Sequence, residues 1–240
     1  MALILPGNVA SATAGAYSVA NSCRFNFADS VTLKRTPSSA SNRKTWTWSG
    51  WVKRCKLGSI QVLFNARIGN FPENMYFDGD DKFRYHHDIA GADYKLISSM
   101  LFRDVTAWYH IVIAKDTTDS TEANRVKVYV NGTQITMVES ALGYPAEDYE
   151  GAVNDDEEHN IGEWCTDAGC NSNFIGGYLA EITFIDGLQL AASSFGEFDE
   201  DSPNIWKPID VSGLTFGTNG FYLDFEASDN WVMMLMVEQI

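Results

Sequence analysis

Hydrophobic and polar residues alternate with a period of two through most of the chain, and clusters of Gly, Asn, Asp and Pro separate the alternating stretches. This pattern is typical of half-buried β-strands joined by turns, whereas the 3.6-residue period of amphipathic helices hardly occurs. The sequence therefore predicts an all-β, two-sheet sandwich, with one short helical turn at residues 190–195. Strands are predicted over residues 23–27, 45–53, 61–65, 74–78, 82–86, 95–100, 108–114, 125–131, 134–138, 159–162, 178–185 and 221–225.

The clearest local prediction is a β-hairpin over residues 125–138. Val126, Val128 and Val130 occupy alternate positions, as expected of a strand with one buried face. Asn131 and Gly132 follow, and this pair tolerates the positive φ angles of a type I′ turn. The tight turn explains the Asn-Gly-Thr sequence better than glycosylation does.

Residues 45–53 contain three tryptophans. Strand alternation places Trp46 and Trp48 on one face and Trp51 on the other. Two interpretations stay open for Trp51: loops cover its face, or it is a solvent-facing platform on which a sugar can stack. The candidate ligand-binding set contains aromatic and amide side chains, namely Trp51, Tyr129, Asn171 and Asn173.

Size and composition favour one folded domain. Hydrophobic residues make up 45% and aromatic residues 13% of the 240-residue chain, which argues against disorder. At this length one large domain can bury nearly three-quarters of its unfolded surface, roughly 70–75%. Residues 1–22 carry no charge and are predicted to form an extended arm that can add a strand to a neighbouring sheet. Residues 23–226 form the predicted sandwich, and residues 227–240 an apolar C-terminal segment.

The net charge of −15 is unevenly distributed. Residues 1–67 hold nine Lys or Arg and one Asp, a charge of +8, so the rest of the chain carries −23. The acidic excess argues against a nucleic-acid partner, because it opposes the approach of phosphate. The basic segment 24–67 and the acidic segment 139–167 could instead pair between neighbouring copies and orient them in a ring or lattice.

Four cysteines are too few for a disulfide scaffold. Cys165 and Cys170 have four residues between them. Their spacing favours ordinary thiols, with a small loop disulfide as the alternative. They could also form half a zinc site, but no second pair of Cys or His completes four ligands.

The chain ends are apolar but short. No basic region and long apolar run of a secretory signal occurs, and no segment reaches the approximately 20 apolar residues that span a bilayer, so a soluble protein is expected. The apolar run at residues 231–237 is either a final strand on its own domain or a contact with other copies. The candidate assembly residues are Trp231, Met233, Met234, Leu235 and Met236.

Five motifs occur in the order seen in laminin-G-like domains: WTWSGWVK at residues 46–53, AWYHIV at 107–112, VKVYVNG at 126–132, GYLAEI at 177–182 and IDG at 185–187. The chain therefore resembles this part of the concanavalin A-like lectin/glucanase superfamily. Residues 35–40 and 216–225 are similar to the version found in structural proteins of tailed bacteriophages. The resemblance implies an antiparallel jelly-roll sandwich, displayed on a virion as a fibre, decoration or adhesin module.

Glucanases of this superfamily carry Glu-x-Asp-x-x-Glu on one strand, which places nucleophile and acid on one face. Glu197 and Asp199 begin such a motif, but Ser202 takes the last position, so we predict no catalytic residues and no enzyme. Lectins of the superfamily often hold Ca²⁺ through side-chain and backbone oxygens. Two acidic stretches supply the candidate metal ligands, which are Asp78, Asp80, Asp81, Asp155 and Asp156. The first stretch reads equally well as a hairpin turn with a positive φ at Gly79.

These observations predict a bacteriophage virion structural protein, assembled in the host cytoplasm. Its expected partners are other virion proteins and copies of itself, held through residues 1–22 and 227–240. The alternative is a lectin module that binds host surface glycans, with Ca²⁺ as a candidate cofactor. Neither nucleic-acid binding nor membrane insertion is expected.

Overall fold

The computed structural model describes residues 17–89, 92–166 and 169–226. Most of the predicted arm and the whole apolar segment 227–240, with its candidate assembly residues, lie outside the described residues. The described residues contain three single-turn 3₁₀ helices, at Phe27–Asp29, Glu122–Asn124 and Ala192–Ser194. The last of them confirms the helical turn predicted at residues 190–195. Within the described ranges, no helix has the length and apolar character needed to cross a membrane.

Strands make up most of the remaining regular structure. They are β1 (Cys23–Phe25), β2 (Leu33–Arg35), β3 (Thr45–Arg54), β4 (Gln61–Ile68), β5 (Phe71–Phe77), β6 (Lys82–Ile89), β7 (Ala92–Leu101), β8 (Tyr109–Asp116), β9 (Val126–Val130), β10 (Thr133–Gln134), β11 (Met137–Ala141), β12 (His159–Ile161), β13 (Trp164–Thr166), β14 (Gly169–Ser172), β15 (Gly177–Asp186), β16 (Gly196–Phe198), β17 (Trp206–Pro208) and β18 (Phe221–Leu223).

Two seven-stranded antiparallel sheets form the sandwich. The first sheet has the order β1-β15-β3-β8-β9-β10, with β18 also paired to β15, and the second has the order β11-β7-β6-β5-β4-β12-β2. Two further hairpins, β13–β14 and β16–β17, stand outside these sheets. The predicted all-β, antiparallel two-sheet sandwich is confirmed.

The core lies between the two sheets and is aromatic. Trp46 and Trp48 of β3 are fully buried, and they pack against Phe184 of β15 and Phe64 of β4. Gly50 is the next residue after Trp48 on the same face of β3, and a Cβ at this position would overlap the side chains of Trp48 and Ile182. The buried face predicted for residues 45–53 is thus correct. The residues at the intervening positions point to the outer face of the sheet.

The hairpin predicted at residues 125–138 is only half right. Asn131 and Gly132 have φ angles of 47° and 81°, as the type I′ turn requires, and Thr133 pairs with Val130. The return strand ends at Gln134, however, and β11 pairs with β7 in the second sheet. The chain crosses between the sheets here, and Ile135 at the crossing is partly buried against the core.

Five short strands escaped prediction: β2, β13, β14, β16 and β17. Each has only three or four residues, which is too short to show an alternating pattern. Four of the five form the hairpins that stand outside the main sheets. Sequence alternation therefore predicts all of the sandwich except the edge strand β2, and it misses both hairpins outside the two sheets.

The prediction that the basic segment 24–67 and the acidic segment 139–167 pair between neighbouring copies is wrong. Six ion pairs instead join the basic and acidic segments within one chain: Lys34 with Glu158 and Glu163, Arg43 with Glu150 and Asp155, Lys44 with Asp148, and Arg67 with Glu157. The two segments lie next to each other because β12, in the acidic segment, pairs with β2 and β4 of the basic one. These basic and acidic residues neutralise each other within the fold.

A buried ion pair bridges the sheets. The Lys115 Nζ donates to Oε1 of Glu73 at 2.8 Å, and the Val153 amide donates to Oε2 at 2.9 Å. Burial alone would raise the pKa of Glu73, but Lys115 and His87 outweigh it and lower the value to about 2. Both side chains are fully buried, so neither is open to a ligand, and loss of either partner would leave the other charge buried without compensation.

Residues 17–22 are the described end of the predicted arm. The hydroxyl of Tyr17 donates to Oε2 of Glu181, 2.7 Å away on β15. The Tyr222 hydroxyl of β18 donates to the same oxygen. This end of the arm therefore contacts the first sheet of its own chain.

Candidate ligand-binding site

The outer face of the first sheet, called the covered face below, lies under the chain that follows β15. Its apolar centre consists of buried side chains from the sheet and from the chain that covers it: Val112, Ile185, Ala192, Phe195 and Val211. The Thr47 hydroxyl donates to the Leu188 carbonyl at 2.7 Å, which ties the cover to β3. The loop-covered interpretation therefore holds for most of the face that carries Trp51.

Trp51 belongs to an aromatic stack at the margin of this face. Its ring stacks on His110 at 4.9 Å, and His110 in turn stacks on Trp206 of β17. The Trp206 Nε1 donates to His110 Nδ1 at 2.9 Å, so the proton of the neutral imidazole sits on Nε2 and reaches the Ser49 hydroxyl. Burial lowers the pKa of His110 to about 3, which keeps the ring neutral. These contacts make the stack a structural feature of the cover.

The predicted ligand-binding residues do not come together. Tyr129 lies half-buried beneath the cover of the first sheet. Asn173, with a φ of 57°, follows β14, and its carbonyl accepts from the Val62 amide on β4 of the second sheet. Asn171 belongs to β14, but its side chain lies outside the described residues. Ligand binding by these residues stays a prediction.

The outer face of the second sheet, called the polar face below, holds an open cavity. Its volume is about 310 Å³, and its lining combines an aromatic ring, an arginine and two carboxylates: Ile60, Tyr76, Asp78, Gly79, Asp80 and Arg84. Ile60 lies just before β4, and the other lining residues come from β5, β6 and the turn between them. That turn includes two of the predicted metal ligands. Sequence reasoning found the two aspartates but missed Tyr76 and Arg84, whose alternation on β5 and β6 marks them as outward-facing.

Asp78 organises the turn that forms one wall of the cavity. Its Oδ1 accepts hydrogen bonds from the backbone amides of Asp80 at 2.8 Å and Lys82 at 2.9 Å. Its Oδ2 accepts a hydrogen bond from Arg84 Nε at 2.5 Å. The ion pair holds the guanidinium against the sheet. The side chain of Asp80 is exposed.

The hairpin turn itself differs from its prediction. Asp81, with a φ of 63°, takes the left-handed conformation that was assigned to Gly79. Its carboxylate accepts from the Gly58 amide and pairs with Arg54 at 3.1 Å and Arg103 at 3.2 Å. Burial alone would raise the pKa of Asp81, but these donors lower it. The side-chain contacts hold Asp81 in a backbone conformation that glycine adopts more readily.

Aromatic rings continue from the cavity along the polar face. Trp164 of β13 meets Tyr76 edge-on, with ring centroids 5.2 Å apart, and His86 lies 6.3 Å from Trp164. The hairpin β13–β14 therefore stands directly beside the cavity. Apolar ring surface and hydrogen-bonding groups are thus presented together.

A disulfide closes this hairpin. Cys165 and Cys170 are bonded, so the prediction that favoured ordinary thiols is wrong. β13 and β14 pair antiparallel, with Trp164 opposite Ser172 and Thr166 opposite Gly169. This pairing brings the two sulfurs together, which four intervening residues alone did not indicate.

Three buried asparagines lie beneath and beside the hairpin. Asn160, Asn65 and Asn74 occupy paired positions on neighbouring strands, and His86 continues the row. Asn65 Nδ2 donates to Asn74 Oδ1 at 2.6 Å. Asn74 Nδ2 and Asn160 Oδ1 have no hydrogen-bond partner among the described atoms. The face thus stays polar even where it is buried, unlike the covered face.

A protein-family model described as the concanavalin A-like lectin/glucanases superfamily matches residues 26–156. The chain belongs to this superfamily. No protein in the curated set matches the chain.

Two solved structures show how the superfamily fold is shared. Domain 4 of AbnA, a GH43 extracellular arabinanase from Geobacillus stearothermophilus solved with arabinotriose, is 14% identical, with 70% of this chain and 72% of that chain covered at a TM-score of 0.52. Domains LG4-5 of the mouse laminin α1 chain are 13% identical, with a TM-score of 0.51. That match covers 82% of this chain and about half, 48%, of the laminin chain. The predicted laminin-G-like fold is thus confirmed.

Calcium, which the superfamily resemblance suggested, finds a poor fit at the predicted ligands. In the first stretch, Asp78 and Asp81 already accept from arginines and backbone amides. In the second, Asp155 accepts the Asp156 amide and pairs with Arg43 at 3.3 Å. Calcium needs six to eight oxygen ligands, so an ion would have to displace these donors. Calcium binding at these residues stays a prediction.

The glucanase-like fragment is also engaged elsewhere. Glu197 and Asp199 lie at β16 and both pair with Lys207, at 3.3 and 3.5 Å. These residues belong to the cover of the first sheet, while the cavity lies on the second. The cavity lining itself has one exposed carboxylate, on Asp80, and one engaged by Arg84, on Asp78. This arrangement suits binding better than acid–base catalysis, which needs two carboxyl groups facing a bond.

Proposed function

We propose that the chain is a glycan-binding module that holds its sugar in the cavity on the polar face. The observation that carries the proposal is the convergence of Tyr76, Arg84 and Asp80 on one open space of about 310 Å³. A sugar presents hydroxyl groups and weakly apolar ring faces. Arginine and carboxylate groups can bond the hydroxyls, and the half-buried ring of Trp164 beside the cavity offers apolar contact.

The superfamily supports this proposal in general terms. Domain 4 of AbnA, which shares the fold, was solved with arabinotriose. One fold hosts many functions, so the fold supports the class of ligand less strongly than the cavity does. The sugar's identity is left to experiment.

A glycan array read with and without EDTA tests the proposal, and arabinotriose is one probe to include. We expect binding that survives EDTA, because the carboxylates of Asp78 and Asp81 are engaged by arginines and amides, which leaves only Asp80 as an open carboxylate. Loss of binding in EDTA would instead support calcium as a cofactor for binding. No binding under either condition would contradict the proposed function.

A variant at Asp80 locates the site. Asp80→Asn removes the exposed charge of the cavity, and we expect about a tenfold weaker affinity for the array's best ligand, as loss of one charged hydrogen bond implies. Glu200→Gln is the matched control, because Glu200 is an exposed carboxylate next to the cover of the other sheet. Equal affinities of both variants and the wild type would move the site elsewhere.

A structural role on a bacteriophage virion, with assembly in the host cytoplasm, stays a prediction from the sequence resemblance. Locating the chain in images of an assembled particle tests it. A glycan-binding module displayed on such a particle would satisfy both predictions.

A further inference from the structure

The disulfide lies beside a carboxylate. The sulfurs of Cys165 and Cys170 and one carboxylate oxygen of Glu158 all lie within 4.8 Å of one another. Cys170 Sγ is 3.5 Å from Glu158 Oε1. Sequence spacing supplied only two ligands of a metal site, and the fold adds the third.

The fold brings Glu158 to the cysteines through two neighbouring elements. Glu158 immediately precedes β12, which lies in the second sheet between β4 and β2. The hairpin β13–β14 follows β12 and reaches back over the same sheet, where the Cys165 carbonyl accepts from Asn65. Three donors from two separate segments therefore meet at one point.

The electrostatics of the reduced site would favour a cation. Two thiolates and the Glu158 carboxylate carry a charge of −3. The Lys34 ammonium lies 3.6 Å from Glu158 and 3.2 Å from Glu163, a second carboxylate with only 2% of its surface exposed. A single positive side chain leaves the group strongly negative, in a segment rich in acidic residues.

We propose that Cys165, Cys170 and Glu158 bind one zinc-like divalent ion when the disulfide is reduced. A dithiol supplies two electrons and two protons, becomes a cyclic disulfide itself, and leaves two thiols on the chain. The ion then displaces the two thiol protons and forms two metal–sulfur bonds. Sulfur and carboxylate ligands suit Zn²⁺, and water completes its tetrahedron.

The donor set separates this site from the predicted calcium sites. Calcium takes oxygen ligands only and has no preference for thiolates. The zinc-like ion would join β13 and β14 to the segment before β12. A reducing compartment would thus replace one cross-link of the hairpin with another.

Cobalt binding to the full chain tests the proposal. A Cys55→Ser background removes the exposed free thiol, and phosphine reduction opens the disulfide. We expect one equivalent of Co²⁺ to give a thiolate-to-cobalt absorption band, which Zn²⁺ abolishes by displacement. The oxidised protein should show no such band.

Two further variants separate a formed site from two thiols on a loose loop. Glu158→Gln should weaken Co²⁺ binding about tenfold or more, since even groups that only support a ligand contribute that much. Glu157→Gln, which alters the neighbouring carboxylate, should not. Zn²⁺ should also raise the unfolding temperature of the reduced protein and not that of the oxidised one.

Three results would contradict the proposal. It is wrong if the reduced protein gives no thiolate band, or if the band persists in the Cys165→Ser/Cys170→Ser double variant. Equal Co²⁺ affinities of Glu158→Gln and Glu157→Gln would also overturn it, whether or not the hairpin stays folded on reduction. None of these outcomes bears on the proposed sugar site, which uses other residues.

Discussion

The two outer faces of the sandwich differ in what covers them. The covered face of the first sheet packs apolar side chains such as Val112 and Phe195 against the chain after β15. The polar face of the second sheet carries Asn65 and Asn74 under a short disulfide-closed hairpin, with an open cavity beside it. An apolar interface excludes water and closes, whereas a polar one keeps groups that a ligand can engage. We therefore expect the covered face to contribute more to stability and the proposed sugar binding to use the polar face.

The largest expected effect is on the covered face. Phe195→Ala removes a side chain that is only 2% exposed, and we expect the free energy of unfolding to fall by about 3–5 kcal/mol. Ile205→Ala, at a residue 58% exposed, is the control and should change it by less than about 0.5 kcal/mol. Urea unfolding measures both. Equal effects would mean that the cover does not contribute as an apolar layer.

Acid should destabilise the covered face through His110. Burial lowers its pKa to about 3, below the ordinary 6.5. Between these two pH values the unfolded chain binds a proton on His110 and the folded chain does not. Protonation of His110 therefore costs no stability above pH 6.5. Below that pH, the free energy of unfolding falls by about 1.4 kcal/mol per pH unit because of this residue. Comparing unfolding at pH 7 and 5 in the wild type and His110→Gln measures it. A variant as acid-sensitive as the wild type would contradict the buried neutral ring.

Opening the hairpin should affect the polar face alone. Cys170→Ser removes a small-loop cross-link, which is worth about 2 kcal/mol at most in the unfolded chain. We expect faster amide hydrogen exchange in β13 and β14 and unchanged exchange in β16 and β17. Exchange that accelerates equally in both hairpins would show that the two faces do not open independently.

The smallest effect on stability belongs to the cavity. Asp80→Asn alters an exposed side chain and should change the free energy of unfolding by less than about 0.5 kcal/mol. Its effect on sugar affinity should be the larger one. Circular dichroism melting of the variant checks this, and a marked drop in melting temperature would make Asp80 structural.

The sequence predicts the sandwich better than its coverings. Strands such as β3 alternate over enough residues to reveal their buried face, and Asn131-Gly132 sets a turn through local conformation. Asn65 and Asn74 meet only because β4 and β5 pair in one register, and no local pattern signals a buried amide row. Asp81 likewise takes its strained conformation because distant arginines hold its carboxylate.

The site shows the same limit. Asp78 and Asp80 were found as an acidic stretch, but Arg84 turns the first into half of an ion pair. The basic and acidic segments looked like a polarity between copies, yet β2, β4 and β12 place them side by side. Charge counts along the chain do not contain the strand order that decides which charges meet.

The central claim is that a sugar binds on the polar face and not on the covered face. Tryptophan indole signals report the two faces separately in a ¹H–¹⁵N NMR titration with the best ligand from the array. We predict that the Trp164 indole and the amides of Gly79 and Asp80 shift, while the Trp206 indole stays in place. Shifts confined to Trp206 and Trp51, with Trp164 unmoved, would contradict the claim.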